Sequence, residues 1–298
     1  MKLAERTRGD LLILMAALIW GIAFYFQKVA MSDVGPLLFI GLRGLVAALV
    51  LSPFAVAEQR RRELTVELPS AQERTVVSVV PVALLAGLIF FIAGSVQQLG
   101  LVTATVTNTG FLTALYVVVT PFLFWIIRRQ PPERITWISV VLAFLGIWGL
   151  SGGSISALSR GDVLVACSSL FWASLLVVAG QAARHAQPWS YTCILFAVVA
   201  ILGLVSAFIF ETVLLADIWR AIVPVLYVGV LSSALTFGVT AVAMQYVSAP
   251  RASILLSMET VFAAMAGYAF LGERLSLIGW TGAAMILSAV VLLNLSKE

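Results

Sequence analysis

Apolar residues run through this chain in blocks of about twenty, separated by short polar punctuation. Ten blocks can be drawn: 11–31, 36–56, 76–101, 106–127, 135–151, 162–183, 189–210, 219–246, 251–271 and 277–295. A hydrocarbon core about 30 Å thick is crossed by roughly 20 helical residues, and lipid offers no partners to unpaired backbone groups. Each block therefore predicts a membrane-spanning α-helix. The cuts fall at Asp33, Gly35 and Pro36, at Glu58 to Arg74, at Pro131, Pro132 and Glu133, at Ser151 to Gly161, at Gln187 and Pro188, and at Gly272, Glu273 and Arg274. These are the residue types that stop and start helices. The first block follows Lys2, Arg6 and Arg8 as a signal peptide would, but it is long enough to span and lacks a small-residue cleavage site, which predicts a retained helix.

Composition agrees with lipid as the solvent: 61% of the 298 residues are apolar and 11% are charged. The net charge of +4 comes from an uneven spread of Lys and Arg, which speaks to orientation in the bilayer and not to nucleic acid. With ten spans both ends lie on one side. That side carries Arg60, Arg61, Arg62, Arg74, Arg128, Arg129, Arg134, Arg184, Arg251 and Lys297, whereas Asp33, Asp162, Glu211, Asp217 and Glu273 fall on the other. The expectation is a multi-pass protein of the plasma membrane, the inner membrane of a bacterium, with both termini cytoplasmic. Cys167 and Cys193 lie in apolar stretches and are expected to pack as small hydrophobic residues.

The chain also repeats. Arg8-Gly9-Asp10 with Trp20 recurs as Arg160-Gly161-Asp162 with Trp172, and Pro36 falls on Pro188 at the same displacement. Val80-Pro81-Val82 then matches Val223-Pro224-Val225, and Glu133-Arg134-Ile135-Thr136 matches Glu273-Arg274-Leu275-Ser276. Ordered matches that include polar residues predict a duplication, with domains at 1–151 and 152–298. Five helices per copy is an odd number, so the second copy enters the membrane from the opposite side. The predicted fold class is all-α integral membrane, ten transmembrane helices arranged as two inverted five-helix repeats, an architecture suited to alternating access.

These features resemble the EamA-type branch of the drug/metabolite transporter superfamily over essentially the whole chain: Trp20, Arg43, Gly272-Glu273-Arg274 and the duplicated halves. Where that family usually has Leu-Glu-Pro-Val, this chain has Met258-Glu259-Thr260-Val261, and the missing Pro predicts a straighter ninth helix. Leu115-Tyr116-Val117 to Thr120-Pro121 looks like the corresponding stretch of the first half. The resemblance implies export of amino acids, metabolites or cationic drugs, with aromatic and other apolar amino acids among the classes. Another metabolite class, such as nucleotide-linked or phosphorylated sugars, is the alternative.

Several residues are candidates to line a substrate cavity. Trp20 and Trp172 sit about 15 Å past Asp10 and Asp162, near the bilayer midplane and away from the interfacial aromatic belt. Trp20, Phe24 and Gln27 share one helical face, joining stacking surface to a hydrogen-bonding group. Phe90 and Gln97 form one stripe on the third span, Phe91 and Gln98 its neighbour, and Asn108 and Tyr116 lie on the fourth. Arg43 and Glu259 place a charge inside a span, which costs on the order of 2.5 to 3.5 kcal/mol on insertion scales unless it faces protein or water. Arg43 suits a substrate carboxylate or a structural hydrogen bond, and Glu259 suits a proton or a substrate ammonium. Helix packing is the competing reading for the aromatic and amide positions. Pro81, Pro121 and Pro224 are candidates for hinges, or for static bends.

Other mechanisms find less in the sequence. His185, the single histidine, lies in a short connection with no zinc or triad spacing around it, which argues against a membrane enzyme or lipid-handling protein. There is no phosphate-cradling loop for ATP and no repeated filter segment for a channel. The expected partners are a small-molecule substrate and the lipid bilayer, with a monomer as the expected state; no nucleic acid, cofactor or metal is expected.

Overall fold

A computed structural model of the chain describes residues 3–66, 78–129, 131–150, 159–271 and 276–295. The Gly272-Glu273-Arg274 motif, the junction at 151–152, Arg74 and Lys297 lie outside the described residues. The described residues are helical, with no strand among them: α1 (Leu3–Ala30), α2 (Pro36–Val66), α3 (Val80–Leu101), α4 (Val106–Thr113), α5 (Tyr116–Arg128), α6 (Arg134–Leu150) and α7 (Arg160–Ala182). There follow α8 (Pro188–Phe210), α9 (Leu215–Arg220), α10 (Ile222–Leu226), α11 (Thr236–Ala243), α12 (Ala249–Leu256), α13 (Met258–Leu271) and α14 (Leu277–Leu295).

Eight stretches are long and apolar enough to cross a membrane: 6–30, 36–63, 80–101, 106–127, 160–185, 188–210, 222–243 and 249–270. Two shorter apolar helices lie at 134–149 and 277–292. All ten coincide with the sequence blocks, but three are not simple α-helices. The fourth is split by a turn at Ala114 and Leu115, and the ninth by one at Ser257. Residues Tyr227–Leu235 of the eighth wind as a π-helix between α10 and α11.

The ninth stretch is thus broken, and not straighter, although it lacks the Pro. Hydroxyls do the bending: Ser253 Oγ donates to the Pro250 carbonyl at 2.7 Å, Ser257 Oγ to Ile254 at 2.6 Å and Thr260 Oγ1 to Ser257 at 2.8 Å. Side chains that compete for helix carbonyls loosen the i to i−4 ladder. Pro81 and Pro224 stand in the first turns of α3 and α10, where a missing N–H is one the helix could not have paired, so neither interrupts a ladder. Pro121, and Pro53 in α2, lie inside helices.

The helices associate in a fixed set of pairs. α2 runs along α8 and α6 along α14; α3 lies against α7 and α8, while α1 and α2 lie against the π-helix; α4 and α5 meet α7, while α12 and α13 meet α1. Small residues set the closest approaches. A Cβ on Gly203 would stand 2.6 Å from Gly41 Cα, and one on Gly146 would stand 2.7 Å from the Gly282 carbonyl oxygen, so only glycine lets these backbones touch. Large apolar side chains such as Leu49, Ile126, Phe208 and Trp280 face outward, as lipid requires.

Polar ties mark the two ends of the bundle. At one end Glu211 Oε1 and Oε2 accept from the Leu37 and Leu38 amides, 2.8 Å each, at the start of α2. There too Lys28 Nζ donates to the Leu101, Val102 and Ala104 carbonyls at 2.8, 3.1 and 2.9 Å, closing the end of α3. At the other end Glu58 accepts from the Trp189 and Ser190 amides at 3.4 and 2.8 Å, at the start of α8. Arg251 of α12 there grips Asp10 of α1 in two parallel bonds of 2.9 and 2.7 Å. Helix N-termini bring unpaired amides and partial positive charge, which a carboxylate satisfies.

Candidate functional site

A cavity lies among these helices. It draws on all eight of the long apolar stretches and not on α6 and α14, which pair with each other. Trp20, Phe24 and Gln27 enter from α1, Arg43 from α2 and Gln97 from α3. Thr113 and Tyr116 flank the break between α4 and α5, and Leu256 and Glu259 flank the break between α12 and α13. Trp172, Leu175, Leu176 and Ala179 come from α7, Tyr191 from α8, Ser232 from the π-helix, and Phe237, Thr240 and Ala241 from α11.

One guanidinium and one carboxyl side chain face this space from deep burial, Arg43 and Glu259, each 3% exposed. Arg43 Nε donates to Ser233 Oγ at 2.9 Å, and its guanidinium carbon lies 5.3 Å from the centre of the Phe90 ring. No carboxylate stands within ion-pair distance of it among the described residues. Glu259 Oε1 accepts from the Tyr116 hydroxyl at 3.1 Å, and likewise forms no ion pair there. A buried charge without a counter-ion is costly, and an ionised ligand that supplies one is favoured accordingly.

The aromatic wall has its own logic. Phe90 is fully buried behind the cavity, edge-on to Trp172, Phe196 and Phe237 with ring centres 5.1 to 5.2 Å apart. Trp20 lies 4.9 Å from Phe237 and donates its Nε1–H to the Ser232 carbonyl at 2.8 Å. That carbonyl also accepts from Thr236 Oγ1 at 2.5 Å, using acceptor capacity that the wider π winding leaves outside the regular ladder.

The sequence candidates divide between cavity and packing. Trp20, Phe24, Gln27, Arg43, Gln97, Tyr116, Trp172 and Glu259 are brought together around the cavity. Phe90 and Phe91 lie in the surrounding apolar core, and Gln98 is fully buried and donates to the Gln27 carbonyl at 3.3 Å. Asn108 sits near the start of α4 and donates Nδ2 to Asp162 Oδ1 at 3.3 Å, away from the lining. Thr113, Tyr191, Ser232, Phe237, Thr240 and the aliphatic positions of α7 and α11 were not apparent from sequence. Gln97 Nε2 donating to Thr113 Oγ1 at 2.6 Å gives one local reason for Thr113 being there.

Comparison with known proteins adds an independent line. The model of the EamA-like transporter family matches residues 7–152 and again 159–295. A transporter of Archaeoglobus fulgidus is 27% identical over 98% of this chain and 87% of its own length. The transporter YwfM of Bacillus subtilis is 26% identical over 96% of this chain and 93% of its own. The inner membrane transporter YedA of Escherichia coli K12 is 24% identical over 94% and 88%. A crystal structure of a protein with 14% identity superposes with a TM-score of 0.74 over 96% of each chain, a likeness of fold.

Proposed function

The chain belongs to the EamA-like transporter family, a family of membrane transporters, and from that premise we propose that it is a secondary exporter of small zwitterionic metabolites, amino acids with aromatic or apolar side chains above all. The observation that carries this reading is the pairing, in one cavity, of a buried cation and a buried carboxylate with aromatic walls. Arg43 takes the substrate carboxylate, Glu259 its ammonium group, and Trp20, Phe24, Trp172 and Phe237 its side chain. A phosphorylated or nucleotide-linked sugar carries more negative charge than the single Arg of the lining answers.

Transport proceeds by alternating access between two inverted repeats of five helices, 1–151 and 152–298, with the substrate held where they meet. Support comes from the helix pairs. Exchanging the first five stretches for the last five returns the same set: α2 with α8 and α6 with α14 map onto themselves, and α3 with α7 maps onto α1 with the π-helix and α11. The protein resides in a plasma membrane of the bacterial inner-membrane kind, its termini on the cytoplasmic, Arg-rich side. A monomer encloses the cavity.

The test is counterflow in proteoliposomes: purified protein preloaded with unlabelled aromatic amino acid accumulates the labelled one, saturably. Absence of flux across a panel of zwitterionic, cationic and anionic solutes would overturn the reading.

A further inference from the structure

The two ends of the cavity differ in what they leave unpaired. Toward the end marked by Lys28 and Glu211 lie Arg43, Gln27 and the Gln97–Thr113 pair. Toward the opposite end, that of Asp10 and Glu58, the lining becomes Leu175, Leu176, Ala179, Ala241 and Leu256, with Tyr191 and Thr240 the polar exceptions. Tyr191 is in the first turn of α8 and Thr240 in the last turn of α11, and these turns lie together, since the Trp189 ring packs on Gly238. Both side chains are more than nine-tenths buried.

Neither has a hydrogen-bond partner: Tyr191 Oη and Thr240 Oγ1 are buried and unsatisfied, as is Trp172 Nε1 on the same wall. Ser95, Ser139 and Ser190 also carry unpaired hydroxyls, away from the cavity lining, while other buried hydroxyls return to a carbonyl of their own helix, as those of Ser168, Ser253 and Ser257 do. Thr240 does not, and Tyr191 cannot. The contrast with Trp20, whose Nε1–H is paired to the Ser232 carbonyl, is the same. Buried polar groups are normally satisfied, so several orphans around one cavity indicate a missing ligand group. No charged side chain lines this end among the described residues, which selects a neutral group.

The geometry points to a second subsite, in which Tyr191 and Thr240 receive a neutral hydroxyl or carboxamide at the far end of a substrate whose charged head lies at Arg43 and Glu259. This rests on the zwitterion reading above and sharpens it. The preferred cargo is a zwitterion with an apolar body and a polar tip, a phenol-bearing side chain being the simplest example. The tip exchanges a hydrogen bond with Tyr191 Oη and Thr240 Oγ1, and Trp172 Nε1 is the further donor for a tip that accepts.

The experiment compares tyrosine with phenylalanine as probes, by equilibrium binding to the purified full-length protein, for the wild type and for Tyr191→Phe and Thr240→Val. The wild type is expected to favour tyrosine by about tenfold, the size of a net neutral hydrogen bond or two. Each variant is expected to pull that ratio toward unity with phenylalanine affinity unchanged. Because neither hydroxyl has a partner in the fold, both variants should unfold at or above the wild-type temperature. A wild type indifferent to the two probes, or a ratio that survives in both variants, overturns the subsite and leaves the zwitterion reading standing. Failure of both probes to bind the wild type overturns the zwitterion reading and the subsite with it.

Discussion

Tyr116 and Glu259 are joined by a 3.1 Å hydrogen bond from phenol to carboxylate, and they occupy the same place in their respective stretches. Each stands within the first two residues of the helix that follows a break, α5 after Leu115 and α13 after Ser257. They are 143 residues apart, the offset that also carries Pro81 onto Pro224. In the two-repeat arrangement proposed above, a bond between equivalent positions lies on the axis relating the halves. It therefore sits at the centre of any rocking motion.

That position makes Glu259 the group through which a proton would enter the cycle. In Glu259→Gln the amide oxygen still accepts from Tyr116, so folding is retained, while the site can no longer alternate between charged and neutral forms. The pH-dependent part of counterflow is expected to vanish, and the flux that remains is expected to need more substrate, because the neutral amide no longer answers the substrate ammonium. An unchanged pH profile in this variant would show that the proton is carried elsewhere.

Arg43 is expected to act on affinity. Its guanidinium is held by Ser233 and by the Phe90 face with no ion pair among the described residues, leaving donors for a ligand. A hydrogen bond to a charged group contributes about 1.5 to 3 kcal/mol, which is about 10- to 100-fold in dissociation constant. Arg43→Gln should weaken an amino acid by that factor and leave its methyl ester, which lacks the carboxylate, nearly untouched. Quenching of the cavity tryptophans on titration reads both.

Glu58 and Glu211 are expected to act on stability alone. Each closes the N-terminus of the neighbour's helix, Glu211 that of α2 with two bonds of 2.8 Å, Glu58 that of α8 with bonds of 2.8 and 3.4 Å. Loss of a cap costs about 0.5 to 2 kcal/mol. Glu211→Ala should lower the unfolding temperature in detergent more than Glu58→Ala, because both its bonds are short. Neither change touches the cavity lining, so substrate affinity of the folded fraction should be unaltered.

What the sequence revealed follows physical rules with a clear period or a clear cost. Trp20, Phe24 and Gln27 could be placed on one face because four- and three-residue steps leave no other choice in a helix. Arg43 and Glu259 stood out because lipid penalises charge. A stripe alone says nothing of depth, however: Phe90 and Gln97 share one on α3, yet Phe90 is sealed by Trp172, Phe196 and Phe237 while Gln97 reaches the cavity. Asn108, grouped with Tyr116 by sequence, lies off the cavity lining beside Asp162, across the break at Ala114 and Leu115. The π winding at 227–235, which presents Ser232 and Ser233 to Trp20 and Arg43, has no local signature in a run of small and branched residues.

The two ends of the bundle are tied unequally, and this yields a last prediction. Asp10 is held by Arg251 through two charge-assisted bonds, with the Arg251 side chain 3% exposed. Asp162 occupies the same place at the start of α7 that Asp10 occupies in the RGD segment of α1, and it meets a neutral amide, Asn108, at 3.3 Å. Asn108 is the third residue of α4 as Arg251 is of α12, at the same offset of 143 that relates Tyr116 to Glu259. Removing one partner of a buried ion pair costs about 3 to 5 kcal/mol because the other charge is stranded, whereas removing both is far milder. Arg251→Met alone should therefore destabilise the protein severely, and Asp10→Leu with Arg251→Met should recover most of the loss in thermal unfolding. The converse change, Asn108→Arg, would place an ion pair at the weaker of these two equivalent ties. If the ties act as gates, a stronger one there holds that end shut longer, and counterflow should slow with substrate affinity preserved. An Asn108→Arg protein that exchanges at the wild-type rate would reduce both ties to helix capping.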